Sequence, residues 1–109
     1  GPEFTWYHTL GPTALKFLNS DKLGKKYEND MFVGDFRGNI FHFKLNETRT
    51  GLSLVGTLAD KVADTDTENE DITFGTGFRG ITDIQVGPDG YLYILSYYFG
   101  AIFKILKNT

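Results

Sequence analysis

The sequence predicts an all-β fold, a partial β-propeller of about two four-stranded antiparallel blades. Three observations lead to this fold class. Aromatic residues make up 16% of the chain, with 10 Phe and 6 Tyr, and such side chains favour the pleated surfaces of sheets. Glycines, 13 in number, separate short apolar segments, as tight turns between strands require. The third observation is a three-strand pattern that occurs twice along the 109 residues.

Alternating apolar residues predict the strands in chain order. Residues 39–45 alternate most clearly, since Phe41, Phe43 and Leu45 share one face. The other predicted strands are residues 13–17, 30–35, 52–58, 82–86, 91–96 and 101–106. The segment after the third strand is the weakest, and we expect it to be the fourth strand of the first unit. No convincing helix is indicated, because the best helical segment, residues 58–63, is short and runs into a polar tract.

Turn signals separate these strands. Residues 87–90 read Gly-Pro-Asp-Gly, in which proline presets its own φ angle and Asp-Gly tolerates a positive φ angle. Hairpin turns are predicted at residues 37–39 and 99–100, where a glycine follows a bulky residue. The strands are therefore expected to follow one another as antiparallel neighbours.

A repeat defines the two units. Residues 38–43 and 100–105 both read Gly, a variable residue, Ile-Phe, a polar or basic residue, and an apolar residue. An apolar strand precedes each hexapeptide, and an alternating strand precedes that one. The two glycines are 62 residues apart, whereas a typical blade takes about 40–50 residues. The excess lies in a polar insertion between the units.

The repeat predicts one propeller fragment over residues 1–109. The first blade is expected at about 12–58, an acidic loop at about 60–77 and the second blade at about 80–107. The second blade lacks a fourth strand; residues 4–9 could supply it as an outer strand, or chains could pair with one another. Two blades alone leave apolar faces exposed, so we expect a homo-oligomer, for example three copies forming six blades.

Composition disfavours two classes of partner. The net charge of −3 and the absence of a basic stripe argue against a nucleic acid. The longest apolar runs fall well short of the roughly 20 residues of a membrane helix.

The chain has no cysteine, which excludes disulfides and thiolate zinc sites. Residues 1–4 read like the remainder of a cleaved fusion tag.

Several of these segments together resemble the last two blades of a known family, the soluble quinoprotein glucose/sorbosone dehydrogenases. These are six-bladed propellers that carry pyrroloquinoline quinone (PQQ). The matching segments are residues 5–14, 27–41, 81–95 and 100–105. The Gly-Pro-Asp-Gly-Tyr-Leu-Tyr run within them is common to many propellers, so the order and spacing of the whole set carry the resemblance. The resemblance covers nearly the whole chain but only part of the family's length.

The resemblance implies that full-length relatives oxidise aldoses with PQQ and calcium, in a periplasmic or secreted location. Their catalytic base is a histidine in an early blade, which this chain does not contain. Two family arginines that hold the PQQ carboxylates precede the position of Asp83, and Gly80 and Thr82 stand there in this chain. We therefore expect no cofactor here. The predicted function is that of a truncated or fragment homologue, not catalytic alone; the alternative is a self-assembling, non-enzymatic module for interaction or carbohydrate binding.

Arg37 and Arg79 are the candidate ligand-binding residues, because each is beside a glycine at a strand end. A guanidinium there could grip a carboxylate, so a small sugar or an anion is the expected ligand. Arg37 also lies near a lysine position of the family, and Arg79 is one residue away from a family arginine. The alternative is a solvated turn charge.

Aromatic residues near the C-terminus offer a second candidate. Tyr91, Tyr93, Tyr97, Tyr98 and Phe99 could form a platform on which a sugar stacks. The favoured interpretation is an aromatic strand core for the first two, which share a face at period two. The last three fall in a turn, where some rings are expected to be exposed.

The acidic tract and the two histidines are assigned no metal. Residues 60–71 hold six acidic side chains, and an Asp-x-Asp-x-Glu spacing offers oxygen ligands to Ca²⁺. The tract lacks the glycine and distal glutamate of an EF-hand loop, which favours a solvated loop. His8 and His42 are expected to be packed or surface residues, since neither has a partner at ligand spacing.

Overall fold

Nine strands and one α-helix form within residues 1–7 and 10–107, the part of the chain that the computed structural model describes. In chain order they are β1 Thr5–Trp6, β2 Pro12–Phe17, β3 Met31–Asp35, β4 Ile40–Phe43, β5 Val62–Ala63, α1 Asp66–Ile72, β6 Thr73–Gly75, β7 Ile81–Val86, β8 Leu92–Ser96 and β9 Ala101–Lys104. Two short 3₁₀-helices lie at Lys25–Tyr27 and Gly56–Asp60. No helix of this part of the chain has the length and apolar character of a membrane span.

Two antiparallel sheets carry the architecture. The first has the strand order β2-β3-β4-β6, and the second has the order β7-β8-β9. Neither sheet closes on itself in the described chain. The predicted all-β class is confirmed, and open sheets of four and three strands are consistent with partial propeller blades.

The main core lies between the two sheets. Strand β2 and the neighbouring β3 pack against β7. Phe32, Ile40, Ile84 and Ile94 are almost completely buried there, and burying such a side chain stabilises a fold by about 1.5–3 kcal/mol. Gly34 allows the two sheets to approach closely, since a Cβ atom at this position would lie 2.6 Å from Cγ2 of Ile81.

A second core covers the other face of the first sheet. Phe41 and Phe43 are buried there beneath the N-terminal segment. The ring of Phe4 lies 4.8 Å from that of Phe43, and the ring of Trp6 lies 5.1 Å from that of Phe41. The covering is incomplete, because Leu15 of β2 remains 55% exposed on the same face.

The fourth strand of the first sheet is not where the sequence places it. Strand β6 pairs with β4, whereas the segment at 52–58 contributes only an isolated bridge between Leu52 and Leu45. The prediction of a fourth strand at 52–58 is therefore wrong. Three residues of β6 follow a polar tract and show no alternation of their own, so the pairing depends on the free edge of β4.

The acidic loop predicted at about 60–77 contains regular structure. Its α-helix begins after Thr65, whose Oγ1 accepts a hydrogen bond from the backbone N–H of Glu68 at 3.1 Å. Thr65 Oγ1 in turn lies 3.4 Å from Oε1 of Glu68. A threonine followed three residues later by glutamate is the signature of a helix start, so the expectation of a solvated loop without a helix is corrected here.

The N-terminal segment does not complete the second sheet. Strand β1 pairs in parallel with β5, and the second sheet has only three strands in the described chain. The predicted outer strand at 4–9 therefore lies elsewhere, and residues 8 and 9 are outside the described chain. The N-terminal segment lies on the first sheet and not beside the second because the ring of Trp6 packs against the rings of Phe41 and Phe43.

Candidate functional site

Two Phe-Arg-Gly tripeptides meet at one end of the two sheets. The first is residues 36–38, in the turn between β3 and β4, and the second is residues 78–80, just before β7. The backbone N–H of Phe78 donates a hydrogen bond to the carbonyl of Gly38 at 3.1 Å. A Cβ atom at Gly38 would overlap the backbone nitrogen of Arg79 and lie 2.8 Å from its Cα atom. The two turns therefore touch backbone to backbone, which only glycine at 38 permits.

A buried carboxylate shapes the first turn. Asp35 has no exposed surface, and its Oδ1 accepts hydrogen bonds from the backbone N–H of Gly38 at 3.0 Å and of Asn39 at 2.8 Å. The side-chain amide of Asn39 donates a further bond to Oδ2 at 3.2 Å. Hydrogen bonds to a charged group stabilise by about 1.5–3 kcal/mol each. Asp35 thus fixes the turn that presents Phe36 and Arg37 to solvent.

The second turn is anchored in the same way. Ser96 is buried at the end of β8, and its hydroxyl lies within hydrogen-bond distance of the carbonyls of Phe78 and Arg79, at 2.5 and 3.0 Å. The backbone N–H of Tyr97 donates to the carbonyl of Gly80 at 2.7 Å, and that of Tyr98 to the carbonyl of Arg79 at 3.2 Å. The turn after β8 is therefore attached to the second tripeptide.

These attachments gather four exposed rings, which we name the aromatic rim: Phe36, Tyr97, Tyr98 and Phe99. Their exposed fractions are 40%, 66%, 60% and 52%. The ring of Tyr98 lies 5.5 Å from Phe36 and 5.3 Å from Tyr97. Isolated exposed apolar residues are ordinary, but three exposed rings in mutual contact with a fourth next to them in the chain make the rim a candidate contact surface.

The two candidate arginines flank the rim in different ways. The guanidinium of Arg79 lies 5.8 Å from the ring centroid of Phe99, within the range of a cation–π contact. Arg37 instead lines a cavity of about 190 Å³ together with Asn39, Asp66 and Asn69. Neither guanidinium forms an ion pair with a carboxylate of residues 1–7 or 10–107. The backbones of the two tripeptides meet, and both charges remain available to a ligand.

The loop before β7 does not fit the paired arginines that hold a quinone cofactor in the resembling family. A Cβ atom at Gly80 would lie 2.8 Å from the Tyr98 ring, and the φ angle of Gly80 is +78°. An arginine at this position would therefore displace the rim. Thr82 is exposed, and its Oγ1 lies 3.5 Å from the carbonyl oxygen of Leu95. Residues 80 and 82 therefore do not provide the pair of arginines that the resemblance implies for a cofactor carboxylate.

The other sequence candidates lie away from the rim. His42 Nε2 lies 2.8 Å from Oδ2 of buried Asp30, which Lys44 also contacts at 3.0 Å. Burial lowers the pKa of His42, and the Asp30 carboxylate opposes this shift only in part. His42 is therefore packed, as predicted, with a carboxylate partner that the spacing along the chain does not reveal. His8 lies outside the described residues.

Tyr91 and Tyr93 both lie beside the ammonium group of Lys104. The ammonium of Lys104 lies 4.8 Å from the ring centroid of Tyr91 and 2.8 Å from Oδ2 of Asp89. The Tyr93 hydroxyl donates to the same carboxylate oxygen at 2.7 Å. The Lys104 and Tyr93 donors hold the pKa of Asp89 well below its usual range. Tyr91 also packs against the main core, so the predicted aromatic core holds for Tyr91, whereas Tyr93 belongs to a half-buried charged cluster with Asp89 and Lys104.

The acidic segment offers no metal centre. No group of three His, Cys, Asp or Glu side chains is placed to hold a metal ion in the parts of the chain that the structure describes. Glu68 is buried, and a hydrogen bond with the Asp64 carboxyl raises its pKa.

Phe36 belongs to the rim, although the strand pattern around residue 36 does not predict that its ring contacts other aromatic residues. The recurrence of Phe-Arg-Gly at 36–38 and 78–80 is the sequence signal that could have found the contact between the turns. That signal says nothing about Tyr97 and Tyr98, which join the rim only through hydrogen bonds to the second tripeptide.

Comparison with known proteins gives one distant similarity. The chain is 30% identical over 95 residues to the aldose sugar dehydrogenase YliI of Escherichia coli strain K12, a match that covers 87% of this chain and 21% of that protein. The chain therefore spans about a fifth of the length of the curated relative it matches. No protein-family model and no solved structure matches the chain. The similarity supports a sugar dehydrogenase-like relation.

Proposed function

We propose that this chain forms two adjacent blades of a sugar dehydrogenase-like β-propeller and acts there as scaffold and ligand-contacting surface, without supplying the catalytic base. One observation carries the proposal: two repeated antiparallel sheets stack face to face over the same stretch of sequence that is 30% identical to an aldose sugar dehydrogenase. The resemblance assigns the base to an early blade. Catalysis by the isolated chain is therefore not expected.

A chimera tests the assignment to propeller blades. The matching 95-residue segment of the E. coli protein is replaced by this chain. If the two sheets are blades, their neighbours bury the open apolar faces, so we expect a soluble monomer with a single cooperative thermal transition. The measurements are light scattering and calorimetry.

The outcome of the chimera is read against the E. coli protein with the same segment deleted. That protein has two unpaired faces and is expected to aggregate or to remain unfolded. A chimera that behaves like the deletion would remove the blade assignment. A folded chimera with weakened cofactor affinity is the expected result, because Gly80 leaves no room for an arginine beside Tyr98.

The aromatic rim favours a second, compatible function, the binding of a sugar. Exposed aromatic faces stack on the apolar face of a pyranose, and nearby arginines donate hydrogen bonds to its hydroxyl or carboxylate groups. Three features of the rim support this: exposed rings, rigid attachment through Ser96 and Gly80, and two guanidinium groups without carboxylate partners among the described residues. An aldose or its acid is the ligand class proposed.

Removing a rim tyrosine is expected to weaken this binding. An aromatic contact contributes about 0.5–1.5 kcal/mol beyond area burial, so Tyr97→Ala and Tyr98→Ala should each raise the dissociation constant of an aldose about 2–10-fold. Titration followed by two-dimensional NMR suits the weak affinities involved. Leu106→Ala is the matched control, since this 64% exposed side chain follows β9, at the far end of the same hairpin. Shift changes that survive both tyrosine variants, or that vanish in the control, would exclude the rim as the binding surface.

A further inference from the structure

Two apolar surfaces remain open on opposite sides of the paired sheets. We name the first the β2 face; it contains Leu15 and Phe17, which are 55% and 46% exposed beside an apolar cleft of about 440 Å³. We name the second the β8 face; it contains Leu95 and Ile102, which are 43% and 70% exposed. The core between the sheets uses the opposite side of each sheet. Each sheet thus has one covered and one open apolar surface.

The repeat and the strand register show how these surfaces correspond. Ile40 and Ile102 occupy the same place in the repeated hexapeptide. Ile40 pairs with Gly34 and Ile102 pairs with Leu95, so Leu95 is the counterpart of Gly34. The β8 face is therefore the counterpart of the side of the first sheet that is buried inside the chain.

The same reasoning applies to the other open surface. Phe41 and Phe103 are equivalent in the hexapeptide, and they pair with Val33 and Ile94. Those residues pair in turn with Leu15 and Ile84, so Leu15 is the counterpart of Ile84. One register step further, Pro12 opposite Asp35 corresponds to Ile81 opposite Ser96. The β2 face is therefore the counterpart of the buried side of the second sheet.

The chain consequently carries both halves of its own internal interface a second time, facing outward. Inside the chain, Gly34 packs against Ile81 and Ile84. Their counterparts are Leu95 on one open face and Pro12 with Leu15 on the other. Inside the chain, the smaller residue of this contact is Gly34 and the larger one is Ile81. On the open faces, the larger Leu95 is the counterpart of Gly34, and the smaller Pro12 is the counterpart of Ile81. The two open faces are thus complementary in size as well as in position.

We propose that a second copy of this chain docks head to tail, with the β8 face of one copy on the β2 face of the next. The inference rests on the proposed function as propeller blades. The N-terminal segment covers β4 through Phe4 and Trp6 but leaves β2 open. The open surface of β2 is sufficient for docking. In the internal interface, β2 and β3 pack mainly on the single strand β7, and β7 is the counterpart of β2.

A head-to-tail interface makes a prediction that a symmetric one does not. Leu15→Asp disables the β2 face and Leu95→Asp disables the β8 face, so neither variant alone can form the contact between its own copies. Mixed together, they retain one intact face each and should form a 1:1 heterodimer. Sedimentation velocity at protein concentrations up to about 1 mM covers even weak association. Val55→Asp, at a 74% exposed position outside both faces, should assemble like the unmodified chain.

Several results would overturn the proposal. These are an unmodified chain that stays monomeric, a single variant that still self-associates, or a mixture of the two that stays monomeric. Circular dichroism checks that each variant folds, and Phe17→Ser with Ile102→Ser repeats the experiment with milder changes on the same two faces. A folded chimera combined with a failed mixing experiment would remove the docking of a second copy alone. An unfolded chimera would remove the blade assignment itself.

Discussion

Replacing Gly38 by alanine is expected to lower the free energy of unfolding by about 3 kcal/mol or more. Two physical causes add. The φ angle of Gly38 is +99°, a conformation that L-residues rarely adopt, and the new Cβ atom would overlap the backbone nitrogen of Arg79. A backbone atom cannot rotate away as a side chain can, so the two Phe-Arg-Gly turns must separate. Urea denaturation followed by circular dichroism measures the change.

Gly77→Ala separates the two causes. Gly77 also has a positive φ angle, +86°, but no atom lies within 4 Å of its would-be Cβ atom. This variant should lose only the backbone contribution, about 1–2 kcal/mol. The excess loss at Gly38 then measures the close approach of the turns. Equal losses for the two variants would mean that the turns do not touch.

Replacing Gly34 by alanine is expected to lower the free energy of unfolding by about 2–3 kcal/mol. Here the backbone is an ordinary strand, and the cost comes from packing alone. The added Cβ atom would lie 2.6 Å from Cγ2 of Ile81 and 3.2 Å from Cδ1 of Ile84, in the middle of the core between the sheets. Both isoleucines are almost completely buried, so neither side chain has space into which to move.

The matched control for this variant is Gly51→Ala. Its would-be Cβ atom meets only Asn46 and Glu3 at ordinary contact distances of 3.6 and 3.7 Å. We expect a change within about 0.5 kcal/mol there. If Gly34→Ala is as well tolerated as the control, the sheets do not pack closely at this position. The size comparison between Gly34 and Leu95 would then no longer support the docking of a second copy. Titration with urea gives both values, with unchanged slopes confirming comparable transitions.

Much of the strand pattern follows from the sequence. The alternation at 39–45 predicts β4, Ile40–Phe43, and the repeated hexapeptide predicts the corresponding β9, Ala101–Lys104. The Gly-Pro-Asp-Gly turn is confirmed by a hydrogen bond from the Gly90 N–H to the carbonyl of Gly87 at 2.9 Å. These features are local, because the side chains of a strand alternate every two residues and a turn depends on a few φ angles.

The sequence does not predict β5, β6 and α1, and it gives β1 the wrong partner, for a shared reason. Strands β1 and β5 have two residues each, β6 has three and α1 has seven. None is long enough to show its own periodicity, and each forms because a larger surface is already present. The edge of β4 binds β6, and the apolar side of the first sheet binds Trp6 beside β1. The capping pattern of Thr65 and Glu68 is the one local signal among them.

The candidate site divides in the same way. The choice of Arg37 and Arg79 rests on their glycine neighbours and stays a prediction, whereas the contact between their two turns is observed. Nothing local indicates that Tyr98 stacks with Phe36. This contact joins residues far apart in the chain, and it depends on how the second sheet lies on the first. The contact between Asp30 and His42, by contrast, lies at the β3–β4 hairpin and follows from the pairing of these two strands.

The sequence by itself determined the all-β class, the two repeated units and the main turns, since these follow from side-chain alternation and from glycine and proline conformations. Only the tertiary structure decided which distant segments complete each sheet, how four rings gather into the aromatic rim, and which apolar faces remain open. The reason is physical: a short segment settles on whichever unpaired edge or uncovered apolar surface the rest of the fold presents, and that surface exists only after the sheets have packed.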